Sequence, residues 1–232
     1  MEEKKLKIGL DVDGVLYPWH DVVYRYFTEE KGYKDSYNHF WTVDWWLLSK
    51  EEQDYIVSLP FLYYAVIPSA CVMDSLIKLS TLGELYYITS RQGSDIESVT
   101  RKFFNFFDPP FKQNLLFDHD KATACRLYSI DYFLDDFPKQ VSKLESVTNA
   151  YLMNQAHNTG KREGFKTVSS LKEFYEKIQE DLASKAKNKS IVGMSTVAFP
   201  SNEELSREFP EHIFYTGGGI PQKVWESYEI VP

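Results

Sequence analysis

Apolar and polar positions change rhythm twice along this chain, near residue 17 and again near 68. The stretch at 7–11 is a short apolar run without alternation, ending in a carboxylate. That pattern predicts a strand buried on both faces. From 17 to 68 the texture turns aromatic. Helical spacing shows at about 20–31, and Ser49 with Glu52 three residues on is a capping box that predicts a helix to about 58. After Pro68 short apolar runs alternate with helical patterns. Helices are predicted at 71–79, 94–107 (Ser94 and Glu97 as its cap), 121–128 (Asp120 as its cap), from Pro138, and at 170–185. Strands are predicted at 84–89, 115–117, 132–134 and 150–153. Strands separated by helices imply a Rossmann-like three-layer α/β fold with a mostly parallel sheet. Residues 1–16 and 69–182 are expected to form that core, and 17–68 a helical insertion after the first strand. The stretch 183–190, poor in large apolar residues, reads as a linker or fraying helix end before a C-terminal extension to 232.

Composition narrows the class. The 232 residues suit one large domain, or a domain with a small insertion. A net charge of -8 disfavours long nucleic acid, which needs a basic face. Two cysteines, Cys71 and Cys125, give no disulfide framework, and no apolar run is long enough to span a bilayer. A cytoplasmic protein without a membrane partner is expected. Its oligomeric state is left open, a homodimer included. Gly217-Gly218-Gly219 lacks the Lys-Ser/Thr of a phosphate loop, and reads as a flexible point or a tight turn in an aromatic-containing tail that includes Trp225.

The polar residues at strand ends carry the chemistry. Asp11 and Asp13 follow the first strand, and Gly14 lets the chain turn. Thr89-Ser90-Arg91 ends the second, Lys121 opens a helix just past the third, and Asp135-Asp136 ends the fourth. In a parallel sheet these ends share one edge, where open α/β sheets bind ligands. Carboxylates so close need a cation between them or a retained proton. The set suits phosphoryl transfer to and from a carboxylate. Asp11 is the candidate nucleophile and Asp13 the acid/base. Asp11, Asp13 (through its main-chain carbonyl), Asp135 and Asp136 are the candidate Mg²⁺ ligands. Thr89, Ser90 and Lys121 are candidates for the remaining phosphoryl oxygens, and Arg91 for phosphate or substrate contact.

Asp-Val-Asp-Gly-Val at 11–15, Ile-Thr-Ser at 88–90, Lys121 and Phe-Leu-Asp-Asp at 133–136, in that order, resemble the haloacid dehalogenase-like phosphohydrolases over about 7–180. The insertion at 17–68 is similar to that superfamily's cap. Gly-Val-Leu after the first motif, Trp19, and the segment from Pro60 to Pro68 resemble the 5'(3')-deoxyribonucleotidases most. The resemblance implies an aspartyl-phosphate phosphatase using Mg²⁺ on a small phosphate ester, best a nucleoside monophosphate. Trp19 and Phe61 would then stack on the base.

Each motif also has a plainer reading. Asp-x-Asp-Gly alone is a surface turn or a glycosyltransferase metal motif, Thr89-Ser90 a plain strand end, Lys121 a solvated helix residue, and Asp135-Asp136 a capping pair. Four of them in order at successive strand ends favour an enzyme. Most of Trp41, Trp45, Trp46, Tyr55 and Tyr64 read as the insertion's own core, and the histidines, His20 and His119 among them, as structural or surface groups. The alternatives are a phosphatase for another small ester or a nucleic-acid 3'-phosphate end, and a non-catalytic phosphate- or partner-binding protein.

Overall fold

A computed structural model describes residues 5–195. Its core is a six-stranded sheet in the order β3-β2-β1-β4-β5-β6, parallel at every pairing. The strands are β1 (Leu6–Leu10), β2 (Gly83–Thr89), β3 (Leu115–Phe117), β4 (Tyr132–Asp135), β5 (Asn149–Met153) and β6 (Thr167–Val168). The main helices are α5 (Ala70–Leu82), α6 (Ser94–Phe107), α7 (Lys121–Tyr128), α8 (Pro138–Leu144) and α9 (Leu171–Ser195).

Period-2 alternation along the strands explains the layering. Tyr86, Ile88, Phe133, Ala150 and Leu152 pack with Ala122 and Cys125 of α7 and with Val141 and Leu144 of α8. The neighbours on the other face turn away: Tyr87 meets Phe104 of α6, and Tyr151 meets Phe174 of α9. Tyr132 points the same way and donates a hydrogen bond from its hydroxyl to Asp181. Both faces of the sheet are therefore covered, as its near-continuous apolar strands require. At Gly9 a Cβ would lie 2.3 Å from the Phe133 ring, so glycine is needed for β1 to sit against β4.

Local signals hold with two exceptions. Ser49 and Glu52 form the capping box that opens α4 (Lys50–Val57). Asp120 caps α7 by accepting from the Thr123 backbone N–H at 3.2 Å. Helix α6 begins at Ser94, but its N-cap is Gly93, whose φ of 95° suits glycine; the expected Ser94–Glu97 cap does not form. Helix α9 runs on to Ser195, past the point where small and polar side chains suggest fraying. The triple glycine and Trp225 lie outside the described residues.

Between β1 and α5 the chain is helical: α1 (Trp19–Glu30), α2 (Tyr37–His39), a π-helical turn (Phe40–Asp44), α3 (Trp45–Leu47), α4, and a 3₁₀ turn (Pro60–Tyr63). Its interior is ring on ring, with Phe40, Trp41 and Trp45 buried and mutually in contact. Trp46, Tyr55 and Tyr64 are exposed instead, so the core of this segment is smaller than its aromatic count implies.

Candidate active site

The carboxyl ends of β1, β2 and β4 bring the strand-end residues together. The Asp11 backbone N–H continues the β1–β4 pairing by donating to Leu134 at 2.9 Å, so Asp11 stands beside Asp135 by register. The chain then turns at once. Leu16 and Tyr17 both donate to the Val12 carbonyl, and Gly14 has φ of 76°. A Cβ on Gly14 would lie 1.9 Å from the Asp136 carboxylate, so glycine serves both the turn and the close approach.

Lys121 lies at the centre. Its Nζ is 2.8 Å from Asp11 and 2.7 Å from Asp135, with the side chain 2% exposed. The other Asp135 oxygen accepts the Phe137 backbone N–H at 2.8 Å, which fixes the loop entering α8. Thr89 is buried at the end of β2, and Ser90 lines the same cleft. One ammonium thus faces three buried carboxylates, Asp11, Asp135 and Asp136. Burial, only partly offset by Lys121 and reinforced by Asp135, pushes Asp11 up to about 7. Burial and the charges of Asp11 and Asp135 raise Asp136 well above the carboxylate range. Burial alone would lower Lys121, but the two carboxylates outweigh it and hold the ammonium charged.

Oxygens of Asp11, Asp135 and Asp136 lie within 4.8 Å of one another. Three buried carboxylates on one ammonium leave excess negative charge, and all are hard oxygen donors. The set fits Mg²⁺. Asp13 is not in this group. Its carboxylate is held by the Arg91 guanidinium, at 2.9 Å from Nε and 2.6 Å from Nη2. The expected metal contact of Asp13 is its main-chain carbonyl, which this side-chain pairing leaves untouched. The expectation it does correct is that for Arg91, whose guanidinium is engaged with a carboxylate rather than free for phosphate. Opposite charge and a fork geometry that matches a carboxylate bring them together.

The cleft is about 570 Å³ and runs from these carboxylates to the aromatic insertion. Trp19, Trp41, Trp45, Trp46 and Tyr63 line it. Phe61 does not; it is 41% exposed and packs on Tyr26, so it is not placed to stack on a ligand there. His20, read from the sequence as a structural or surface group, is stacked on His157 at 4.3 Å beside Asp136, with His157 Nε2 3.0 Å from the Asp136 carbonyl. Burial lowers the pKa of both, His157 to about 4, so both rings are neutral at pH 7. Asn158 donates to the Asp136 and Met153 carbonyls, and Gln155 to the Gly14 carbonyl at 2.5 Å. The one sequence signal for this loop was its place after a strand end.

Compared with solved structures, the chain resembles a haloacid dehalogenase-like hydrolase from Burkholderia xenovorans LB400. The match has 12% identity, covers 78% of this chain and 99% of that one, and has a TM-score of 0.50. The fold is the haloacid dehalogenase-like fold. Two further similar structures are a haloacid dehalogenase-like family hydrolase from Streptococcus pneumoniae (15% identity, 75% and 98% covered, TM-score 0.49) and β-phosphoglucomutase from Clostridium difficile (15%, 82% and 100%, 0.45). No protein-family model and no curated protein sequence matches the chain. Within this fold the strand-end residues occupy the ligand edge. No described helix is long and apolar enough to cross a membrane.

Proposed function

We propose that the protein is a Mg²⁺-dependent phosphomonoesterase that works through a phosphoryl group carried on Asp11. One observation carries this reading: Lys121 bridges Asp11 and Asp135 inside a buried group of three carboxylates that opens onto a cleft. A carboxylate held this way is a nucleophile beside a fixed positive charge. Asp11, Asp135 and Asp136 would hold Mg²⁺, which, when bound, neutralises charge on the phosphoryl oxygens and on the carboxylates.

The chain's own groups do the rest. An oxygen of Asp11 attacks phosphorus, forming an O–P bond as the ester P–O bond breaks. Asp13, which lines the cleft, enters the reaction as the carboxylic acid, its proton on a lone pair that the Arg91 fork leaves free. It gives that proton to the departing alkoxide, then takes one from the water that hydrolyses the aspartyl phosphate. Lys121 holds the Asp11 carboxylate in place, and Thr89 and Ser90 offer hydroxyls at the end of β2. The tryptophan-lined wall excludes water from the acyl phosphate.

The same wall supports a nucleoside monophosphate, and best a deoxyribonucleotide, as substrate, because flat rings near the phosphoryl site favour a planar base. Phosphate release from deoxy- and ribonucleoside monophosphates, sugar phosphates and an aryl phosphate, with and without Mg²⁺, tests both levels. Mg²⁺-dependent release lost in Asp11→Asn is expected, with nucleotides preferred. Silence on every ester would end the phosphatase reading. Preference for sugar phosphates would remove the nucleotidase reading only.

A further inference from the structure

The sequence sets Arg91 directly after Thr89-Ser90, where a phosphate contact is expected. The fold takes its guanidinium to Asp13 instead. Arg91 is buried, at 5% exposure, and held on every side. Nε and Nη2 donate to the two oxygens of Asp13, at 2.9 and 2.6 Å. Nη1 donates to Thr100 Oγ1 at 3.0 Å, and that hydroxyl donates onward to the Ile96 carbonyl at 2.7 Å. Tyr17 and Tyr63 lie against the guanidinium, with ring centroids 5.2 and 4.6 Å from its central carbon. These contacts confine the plane of the group. Two parallel hydrogen bonds transmit that plane to the carboxylate, which keeps a quarter of its surface toward solvent.

We propose that Arg91 is a positioning residue for Asp13: it fixes the direction of the Asp13 carboxylate and does not bind the phosphoryl group. The proposal rests on the phosphatase reading above. A proton donor must lie within hydrogen-bond reach of the oxygen it protonates, and a short side chain free to rotate meets that condition only part of the time. Arg91 removes the rotation. Its effect must therefore depend on how much the leaving group needs a proton. As the P–O bond breaks, an alkoxide takes the bond electrons and the proton of the Asp13 carboxyl. A nitrophenolate keeps the electrons without that proton.

The test uses the full chain with Mg²⁺, a deoxynucleoside 5'-monophosphate and p-nitrophenyl phosphate. It compares kcat/KM, which reports leaving-group departure, and the inhibition constant of inorganic phosphate. In Arg91→Gln the expected fall in kcat/KM is roughly 100-fold for the nucleotide and clearly smaller for the aryl ester. Inhibition by inorganic phosphate stays unchanged. Arg91→Lys keeps the charge but loses the fork and falls between the two. Asp13→Asn combined with Arg91→Gln is no slower than Asp13→Asn alone, because the two act as one unit. Should Arg91→Gln fail to fold, Thr100→Val loosens the same clamp and must show the same dependence on leaving group. Equal losses on both esters, or inhibition by inorganic phosphate weakened about tenfold, the loss expected if a charged hydrogen bond to it were removed, would overturn the proposal. Wild-type protein silent on both esters would overturn the phosphatase reading, and this proposal with it.

Discussion

The carboxyl edge of the sheet and the helical insertion above it are held together by opposite means. At the edge, charge meets charge at fixed distance: Lys121 on Asp11 and Asp135, Arg91 on Asp13. In the insertion, ring meets ring: Trp19, Trp41 and Trp45 lie 5.1 to 5.9 Å apart by centroid, at several tilts. Hydrogen bonds are directional, and a buried group that loses its partner costs the full desolvation penalty. Aromatic burial is proportional to area and tolerates change of angle. The edge is therefore suited to chemistry that needs atoms in place, and the insertion to holding a ligand whose shape can vary.

Breaking the edge should have the largest effects. Asp11→Asn removes the nucleophile while an amide oxygen can still accept from Lys121. Phosphate release should fall roughly ten-thousand-fold or more, with thermal unfolding little changed. Residual activity near wild type would remove Asp11 from the chemistry. Lys121→Met leaves two buried carboxylates without their cation. Denaturant unfolding should show a loss of about 3–5 kcal/mol in the absence of divalent metal. Added Mg²⁺ should restore part of it. An unchanged midpoint would mean that the carboxylates are relieved by some other group.

The Asp11 shift sets the next expectation. Its folded pKa of about 7 exceeds the ordinary 3.8, so the metal-free site holds a proton over that interval, and Mg²⁺ must displace it. The sign follows: Mg²⁺ binds more weakly as pH falls below about 7, by up to about tenfold per pH unit for one displaced proton. Melting temperatures with and without Mg²⁺ should diverge more at about pH 8 than at about pH 5. Equal divergence would mean that the site stays ionised throughout.

Breaking the insertion should do least to the chemistry. Trp46 is 43% exposed, lines the cleft and lies 5.0 Å from the Lys161 ammonium. Trp46→Ala should cost about 1 kcal/mol or less in stability. It should raise KM severalfold for a nucleotide and leave an unstacked ester such as glycerol phosphate unaffected, as steady-state kinetics can show. A matching change in kcat for both esters would join the two regions that this comparison separates.

Much of this was legible in the chain because it is local. The capping box at Ser49, Asp120 as the cap of α7, and the runs that became β2, β3 and β4 each depend on residues within a few positions. The order of Asp11, Thr89, Lys121 and Asp135 needed one rule beyond that, that parallel strands end on the same edge. The two-residue β6 carries too little pattern to find, and the π-helical turn at Phe40–Asp44 sits inside an aromatic run with several helical phases.

The sequence by itself determined the alternation of strands and helices, the edge at which the carboxylates lie, and the aromatic character of the insertion. Only the tertiary structure decided partners. Arg91 stands two residues from Thr89 but bonds to Asp13, 78 positions away, and His20 stacks on His157 across 137. Phe61 faces outward although its neighbour Leu62 is buried. Periodicity fixes which face of an element a side chain takes; which charge or ring waits there depends on how distant elements pack, and no spacing along the chain records it.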